Sequence, residues 1–338
     1  MQKFSIIMVI SRKITSYIER FYKRNIFVEQ YPMLTTISRK SLMKDGAMGV
    51  VFMLHHISKK DPRRIPTNED LKVSPAFLEQ LIVKYQKKGF DFISLDKLYT
   101  ILTFKVIPDR PFVLFTIDDG YLDNYTNGLP VFEKYQVPFA IFVATDFVDK
   151  KAILWWDSLE YLIMTHDEVE INTGERYSCR TFQKRWDTFR VLREKILNLD
   201  QSCLESELTS MFAAYETDWY APIKTKGMNW EQIRELAYHP LCTIGGHTIS
   251  HPSLAKLSFE DATMEIKDGL TRIEMLIQKE VSYFAYPYGT PNEIGEREYQ
   301  IVENLGLKMA FMAHQGCVSS VNKALTHLPR VYLKETKL

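Results

Sequence analysis

Thr116-Ile117-Asp118-Asp119-Gly120 sets two carboxylates side by side, and His247-Thr248-Ile249-Ser250-His251 sets two imidazoles four residues apart. Imidazole nitrogen and carboxylate oxygen are donors that a borderline-soft divalent ion accepts. Asp119 with His247 and His251 would hold one ion and leave positions for water and a substrate carbonyl. Such an ion polarises the carbonyl and lowers the pKa of its water. Asp118, adjacent but not required as a ligand, could take the water's proton. Hydrolysis is therefore the chemistry these residues suit. Neither segment decides the matter alone. Asp-Asp-Gly is commonly a turn, and the two histidines converge only on one helical face or through a suitable loop. Their weight lies in occurring together, beside a third unusual segment, Phe284-Ala285-Tyr286-Pro287-Tyr288-Gly289. Gly245-Gly246, just before His247, permits tight backbone geometry there.

The elements that must position these groups read as alternating strands and helices. Val50 to Leu54 is a short apolar run ending at His55 and His56, as a buried strand would be. Ser74-Pro75 opens a helix with Ser74 as cap, and Phe77, Leu81, Ile82 and Tyr85 give it an apolar face. Strands are expected at 112–116, 139–143, 242–245, 283–286 and 309–312. Helices are expected at 125–135, 230–237, 259–277 and 296–304. Asp118, Asp119 and His247 then fall where strands end, which indicates an α/β barrel-like domain with its site at the carboxyl ends of the strands. The rhythm breaks between about 155 and 225, a largely helical, aromatic and charged stretch that reads as an insertion. It opens with Trp155-Trp156-Asp157, whose rings could stack on a sugar or anchor the insertion. Trp186, Trp219 and Trp230 suit core packing.

Residues 1–45 read as a helical extension and 46–338 as the barrel with its insertion. Within the extension, five basic residues between Arg12 and Arg24 alternate with Ile14, Tyr17, Ile18, Phe21 and Tyr22 at helical spacing. That pattern suits either a helix packed on the domain or peripheral membrane contact through residues 1–25. Phe4 to Ile10 is too short to span a bilayer and lacks a cleavage site, so cytoplasmic residence, with membrane association as an option, is the expectation. A net charge of +1 over 338 residues argues against a nucleic-acid partner. The four cysteines lie far apart, which disfavours zinc held by thiolates.

With these motifs the chain resembles the polysaccharide deacetylases with NodB homology, carbohydrate esterase family four. Those enzymes remove acetyl groups from N-acetylated sugars on a distorted (β/α)7 barrel, and the resemblance runs from about 49 to 333. Thr116 to Gly120 matches the family's Thr-Phe-Asp-Asp-Gly with Ile117 for phenylalanine, and His247 to His251 matches its His-Ser/Thr-x-x-His in full. The resemblance implies Asp118 as base and Asp119, His247 and His251 as ligands of a divalent ion, zinc first, with cobalt or nickel as alternatives. In the third motif Ala285 stands where many members have an arginine that steadies the catalytic aspartate, while Pro287, Tyr288 and Gly289 are kept. The resemblance gives the backbone N–H of Tyr288 to the oxyanion. Arg330, in Leu328-Pro329-Arg330, could supply the missing charge or be structural.

The general acid has several candidates. Many members use a histidine of a late Leu-x-His motif. A permuted branch, the biofilm-polysaccharide deacetylases, places its histidine after the first strand in a Tyr-His-x-Val-like context. Met53-Leu54-His55-His56-Ile57 resembles that context and points to His56, with His55 in place of the aromatic neighbour. His314 and His327 are rivals, and His166 and His239 have no supporting context. The expected activity is deacetylation of N-acetylhexosamine units in a polysaccharide or lipid-linked precursor. The alternatives are hydrolysis of another acyl or non-peptide C–N bond, and glycan binding without turnover.

Overall fold

The computed structural model describes residues 47–319 and 324–335, so the 1–45 extension and its membrane contact lie outside the described residues. Seven strands form the frame: β1 (Ala47–Leu54), β2 (Phe112–Asp119), β3 (Phe139–Val143), β4 (Cys242–Gly246), β5 (Tyr283–Ala285), β6 (Met309–Gln315) and β7 (Leu328–Tyr332). Each pairs in parallel with the next, and β1 pairs with both β2 (Phe52↔Phe115) and β7 (Phe52↔Val331), so the sheet closes on itself. The result is a (β/α)7 barrel of the kind expected. Parallel strands are covered on both faces, which is why they read as continuous apolar runs rather than alternating ones.

Alternate residues fill the barrel. Phe112 and Leu114, Ala140 and Phe142, Tyr283 and Ala285, and Met309 and Phe311 belong to one buried cluster. A helix with no counterpart in the sequence-based expectation, α2 (Leu95–Thr103), adds Leu95, Leu98 and Ile101 to it. Tyr283, the first residue of β5, hydrogen-bonds Asp96 of that helix, so α2 seats against the end of the barrel where the strands begin. Continuing the β2 column upward, the next inward residues are Thr116 and Asp118. The barrel is apolar below and polar at the strands' carboxyl ends.

Expected helices are present as α1 (Pro75–Lys87), α3 (Leu129–Tyr135), α6 (Trp230–Tyr238), α7 (Phe259–Ile277) and α8 (Glu296–Asn304). Ser74 caps α1 by accepting from the Phe77 N–H. The strand at 328–332 was not expected, because Pro329 sits inside it. It is tolerated because the β6–β7 ladder is irregular there, with Phe311 opposite Leu328 and Gln315 opposite Arg330.

The 155–225 stretch carries α4 (Trp155–Thr165) and α5 (Phe182–Leu197), and also a small antiparallel hairpin, Glu168–Glu170 with Arg176–Ser178. It has its own apolar cluster around Leu159, Phe189, Leu192 and Leu208. Glu160 ties α4 to the loop after β1. Its buried carboxylate accepts from Arg64 Nε and Nη2 (both 2.9 Å), the Ile65 N–H (2.9 Å) and Asn68 Nδ2 (2.8 Å). Among the described residues no helix is long and apolar enough to cross a membrane.

Candidate active site

At the carboxyl end of β2 the two neighbouring aspartates point to different partners, as adjacent residues of a strand must. Asp118 is held by both nitrogens of Arg330, Nη1 to Oδ1 at 2.7 Å and Nη2 to Oδ2 at 2.8 Å. The guanidinium is 1% exposed and donates further to the Met312 carbonyl (2.9 Å) and to Thr116 Oγ1 (3.3 Å). Thr116 in turn donates to the Phe52 carbonyl at 2.7 Å, linking β2 to β1. Burial would raise the pKa of Asp118. Arg330, then His247, outweigh it and hold the carboxyl below its ordinary value. Ala285, where the resemblance expects an arginine, lies buried on β5, and the cation beside Asp118 comes instead from β7.

Asp119 faces the imidazoles. Its Oδ1 lies 3.3 Å from His247 Nε2 and 3.4 Å from His251 Nε2. Two ligands each about 2.0–2.1 Å from a shared tetrahedral ion stand roughly 3.3–3.4 Å apart, so the spacing fits one ion such as zinc. Asp119 Oδ1 is buried with no hydrogen-bond partner among the described residues, as an atom reserved for an ion would be. His247 Nδ1 lies 2.6 Å from the Ala285 carbonyl. It must donate its proton there, leaving the Nε2 lone pair toward Asp119. Burial, joined by His247 and His55, pulls His251 down to about 4 against the pull of Asp119, so its ring is neutral and available as a ligand near neutral pH. For Asp119 burial acts upward, but the His247 contact and the charges of His251 and His55 carry it well below the usual carboxylate range.

The His247–His251 segment is a loop, not a helix. Thr248 and His251 have φ of 70° and 64°, Asp119 has 79° and Tyr288 has 58°. Such left-handed conformations in side-chain-bearing residues cost on the order of 1 kcal/mol or more each and gather at functional sites. Gly245 and Gly246 serve packing rather than an unusual φ. A Cβ on Gly245 would stand 2.4 Å from the Phe142 ring, and one on Gly246 would stand 2.7 Å from Leu270.

The remaining sequence candidates divide clearly. His55 follows the last residue of β1, and burial, joined by Arg330 and His56, holds its pKa below the ordinary value against the pull of Asp119 and Asp118. Its Nδ1 is buried without a partner. His56 turns to Asp123, with Nδ1 2.8 Å from Oδ2, and stacks on Tyr121 at 3.7 Å. His314 is exposed, and His327 stacks on Tyr299 at 4.6 Å. His166 bonds the Leu162 carbonyl and His239 pairs with Glu133. Tyr288 packs its ring edge-on against His251 (4.7 Å), and its hydroxyl accepts from Trp155 Nε1 (3.2 Å). Trp155 is buried in the insertion's cluster and anchors it, whereas Trp156 is half-buried and packs against His251 (5.7 Å). Asp157 pairs with Lys226 at 2.5 Å.

Two residues of α7 that sequence reasoning missed shape the histidine loop. Glu265 accepts from the N–H groups of Ile249 (2.9 Å) and Ser250 (3.0 Å) and from Ser250 Oγ (2.8 Å). Gly269 lies one turn on, where a Cβ would be 2.9 Å from the Thr248 carbonyl. A glycine inside an otherwise amphipathic helix was the available signal.

Comparison with known proteins points to one family. A protein of Bacillus subtilis (strain 168), YxkH, whose name places it among the polysaccharide deacetylases, is 26% identical over 123 residues. That match spans 36% of this chain and 41% of YxkH. The deacetylase PplD of Streptococcus pyogenes, solved in complex with acetate, shares the fold with a TM-score of 0.56 at 19% identity, over 84% of this chain and 92% of that one. IcaB of Ammonifex degensii does so with a TM-score of 0.53 at 18% identity, over 86% and 93%. A de-N-acetylase of Aggregatibacter actinomycetemcomitans gives 0.56 at 13% identity, over 86% and 97%. The sequence pattern of the family described as polysaccharide deacetylase matches residues 105–195 and 203–310, more than half of the chain, a span that includes Asp118, Asp119, His247 and His251. The chain belongs to the polysaccharide deacetylase family.

Proposed function

We propose that the protein is a metal-dependent N-deacetylase acting on N-acetylhexosamine units of a polysaccharide or lipid-linked glycan precursor. The observation that carries the reading is the division of labour between adjacent carboxylates: Asp118 committed to Arg330, Asp119 aimed at two imidazoles. A divalent ion held by Asp119, His247 and His251 would supply Lewis-acid polarisation of the acetamide carbonyl and a more acidic water. Arg330 keeps Asp118 ionised and oriented, and the carboxylate's remaining lone pairs accept the proton of the attacking water. A base with a depressed pKa is weak, which suffices only when the water is itself acidified. The N–H of Tyr288 meets no acceptor among the described residues and would donate to the oxyanion of the tetrahedral carbon. We assign the general acid to His55 rather than His56, because His56 is engaged with Asp123 while His55, at the end of β1, keeps a buried Nδ1 with no partner among the described residues; burial lowers its pKa, and the charges of Asp119 and Asp118 pull the other way. His55 would protonate the amine as the C–N bond breaks and acetate leaves.

The experiment is acetate release from N-acetylglucosamine oligomers after metal is stripped and zinc, cobalt or nickel restored. Asp118→Asn and His55→Ala should each lose about 10²–10⁴ in rate, the span of general acid–base catalysis. His56→Ala should keep activity within roughly tenfold. Loss in His56→Ala with activity retained in His55→Ala would return the acid to His56. No acetate with any metal, from protein that binds zinc, would sink the deacetylase reading in favour of another acyl substrate or of binding alone.

A further inference from the structure

The two histidines of the centre are held in unlike ways. His247 is fixed through its ring: Nδ1 donates to the Ala285 carbonyl at 2.6 Å. Among the described residues His251 has no such tie, since its Nδ1 is buried with no partner. Ring contacts with Tyr288, Trp156 and Phe147 surround His251, but they limit tilt rather than fix the position of Nε2. Metal-ligating imidazoles are ordinarily oriented by a hydrogen bond at the far nitrogen. The placement of His251 therefore depends on its backbone.

That backbone is clamped from both sides. Thr145 and Asp146 donate their N–H groups to the carbonyls of Thr248 (3.2 Å) and Ile249 (2.9 Å). On the other side the Glu265 carboxylate takes the next two N–H groups and the Ser250 hydroxyl, three bonds from one side chain. The His251 N–H closes the turn on Thr248 Oγ1 at 3.1 Å. The loop approaches α7 closely enough to need Gly269, and its left-handed residues at 248 and 251 relax unless their neighbours are held. A carboxylate accepting backbone N–H bonds is a strong restraint, since charge-assisted bonds are roughly twice as strong as neutral ones.

We infer that Glu265 is a positioning residue for His251, setting the geometry and affinity of the metal centre through the loop in place of the missing ring hydrogen bond. The inference rests on the proposed metal-dependent reading. It assigns no chemistry to Glu265, whose carboxylate is engaged by the backbone and Ser250 of the loop.

The test is zinc affinity of the full chain, read by competition with a chromogenic chelator, with the melting temperature of the metal-free protein beside it. Wild type is compared with Glu265→Gln, Glu265→Ala and Ile273→Ala, the last removing buried packing about two turns further along the same helix. Glu265→Ala should weaken zinc binding by about 10–100-fold, the usual cost of losing an orienting partner. Glu265→Gln, which keeps one acceptor oxygen, should fall in between. Ile273→Ala should lower the melting temperature while leaving affinity within about twofold, as a distant independent site does. Hydrogen exchange at the Ile249 and Ser250 amides should speed up in both Glu265 variants. Wild-type affinity in Glu265→Gln and Glu265→Ala overturns the inference, as does an equal loss in Ile273→Ala, which would mean that affinity merely follows stability. If Glu265→Ala does not fold, Glu265→Gln decides alone. A wild type that binds no zinc fails at the metal reading itself, and the positioning role falls with it.

Discussion

Asp118 and Arg330 show how much of a site rides on one contact. Both are almost wholly buried, so removing the cation leaves an uncompensated charge in the barrel. Arg330→Met should cost about 3–5 kcal/mol in urea unfolding, and Asp118→Asn combined with Arg330→Met should recover part of it. Acid should act through His251 in the metal-free protein. Its folded pKa of about 4 lies below the ordinary 6.5, so the unfolded chain binds the proton first. Stability is then full above about 6.5 and falls as pH drops toward 4, by a few kcal/mol, and His251→Gln should flatten that slope in pH-dependent urea midpoints. The aspartate pair and the histidine pair were legible because their members are neighbours in sequence. The engagement of His56 with Asp123 was not, since adjacent residues at a strand end face different ways and composition does not record which. Nor was the role of Glu265, which reaches the loop from a helix face that reads as ordinary solvated charge.

At the scale of elements, the apolar runs at 50–54, 112–116, 139–143, 242–245 and 309–312 announced six of the seven strands together with 283–286, because strands buried on both sides leave a dense signal. β7 was hidden by Pro329, and the hairpin at 168–178 by strands of three residues whose only buried apolar member is Val169. Helix α2 escaped although Ser94 caps it and Leu95, Leu98 and Ile101 make an apolar face. The glycines ahead of His247 test the packing of β4. Gly245→Ala meets a ring and the Tyr283 carbonyl (2.9 Å), whereas Gly246→Ala meets mainly the flexible end of Leu270. Thermal unfolding should therefore show the larger loss, about 1–3 kcal/mol, for Gly245→Ala.

Over the whole molecule, the barrel supplies the reacting groups and the insertion supplies one wall of their surroundings. The Trp155–Tyr288 hydrogen bond and the Glu160 cluster connect the two. Glu160→Ala strands Arg64, Asn68 and the Ile65 N–H, so it should loosen the insertion more than the barrel. Limited proteolysis should then cut within 155–225 while the barrel core stays protected, and KM should rise more than kcat falls. The closed sheet carries a different consequence for how the protein comes into being. Asp118 leaves the ribosome 212 residues ahead of the arginine that neutralises it. Until the strand bearing Arg330 emerges, the sheet lacks the strand that closes it and Asp118 lacks its cation, so on the proposed mechanism the base is set only when β7 docks.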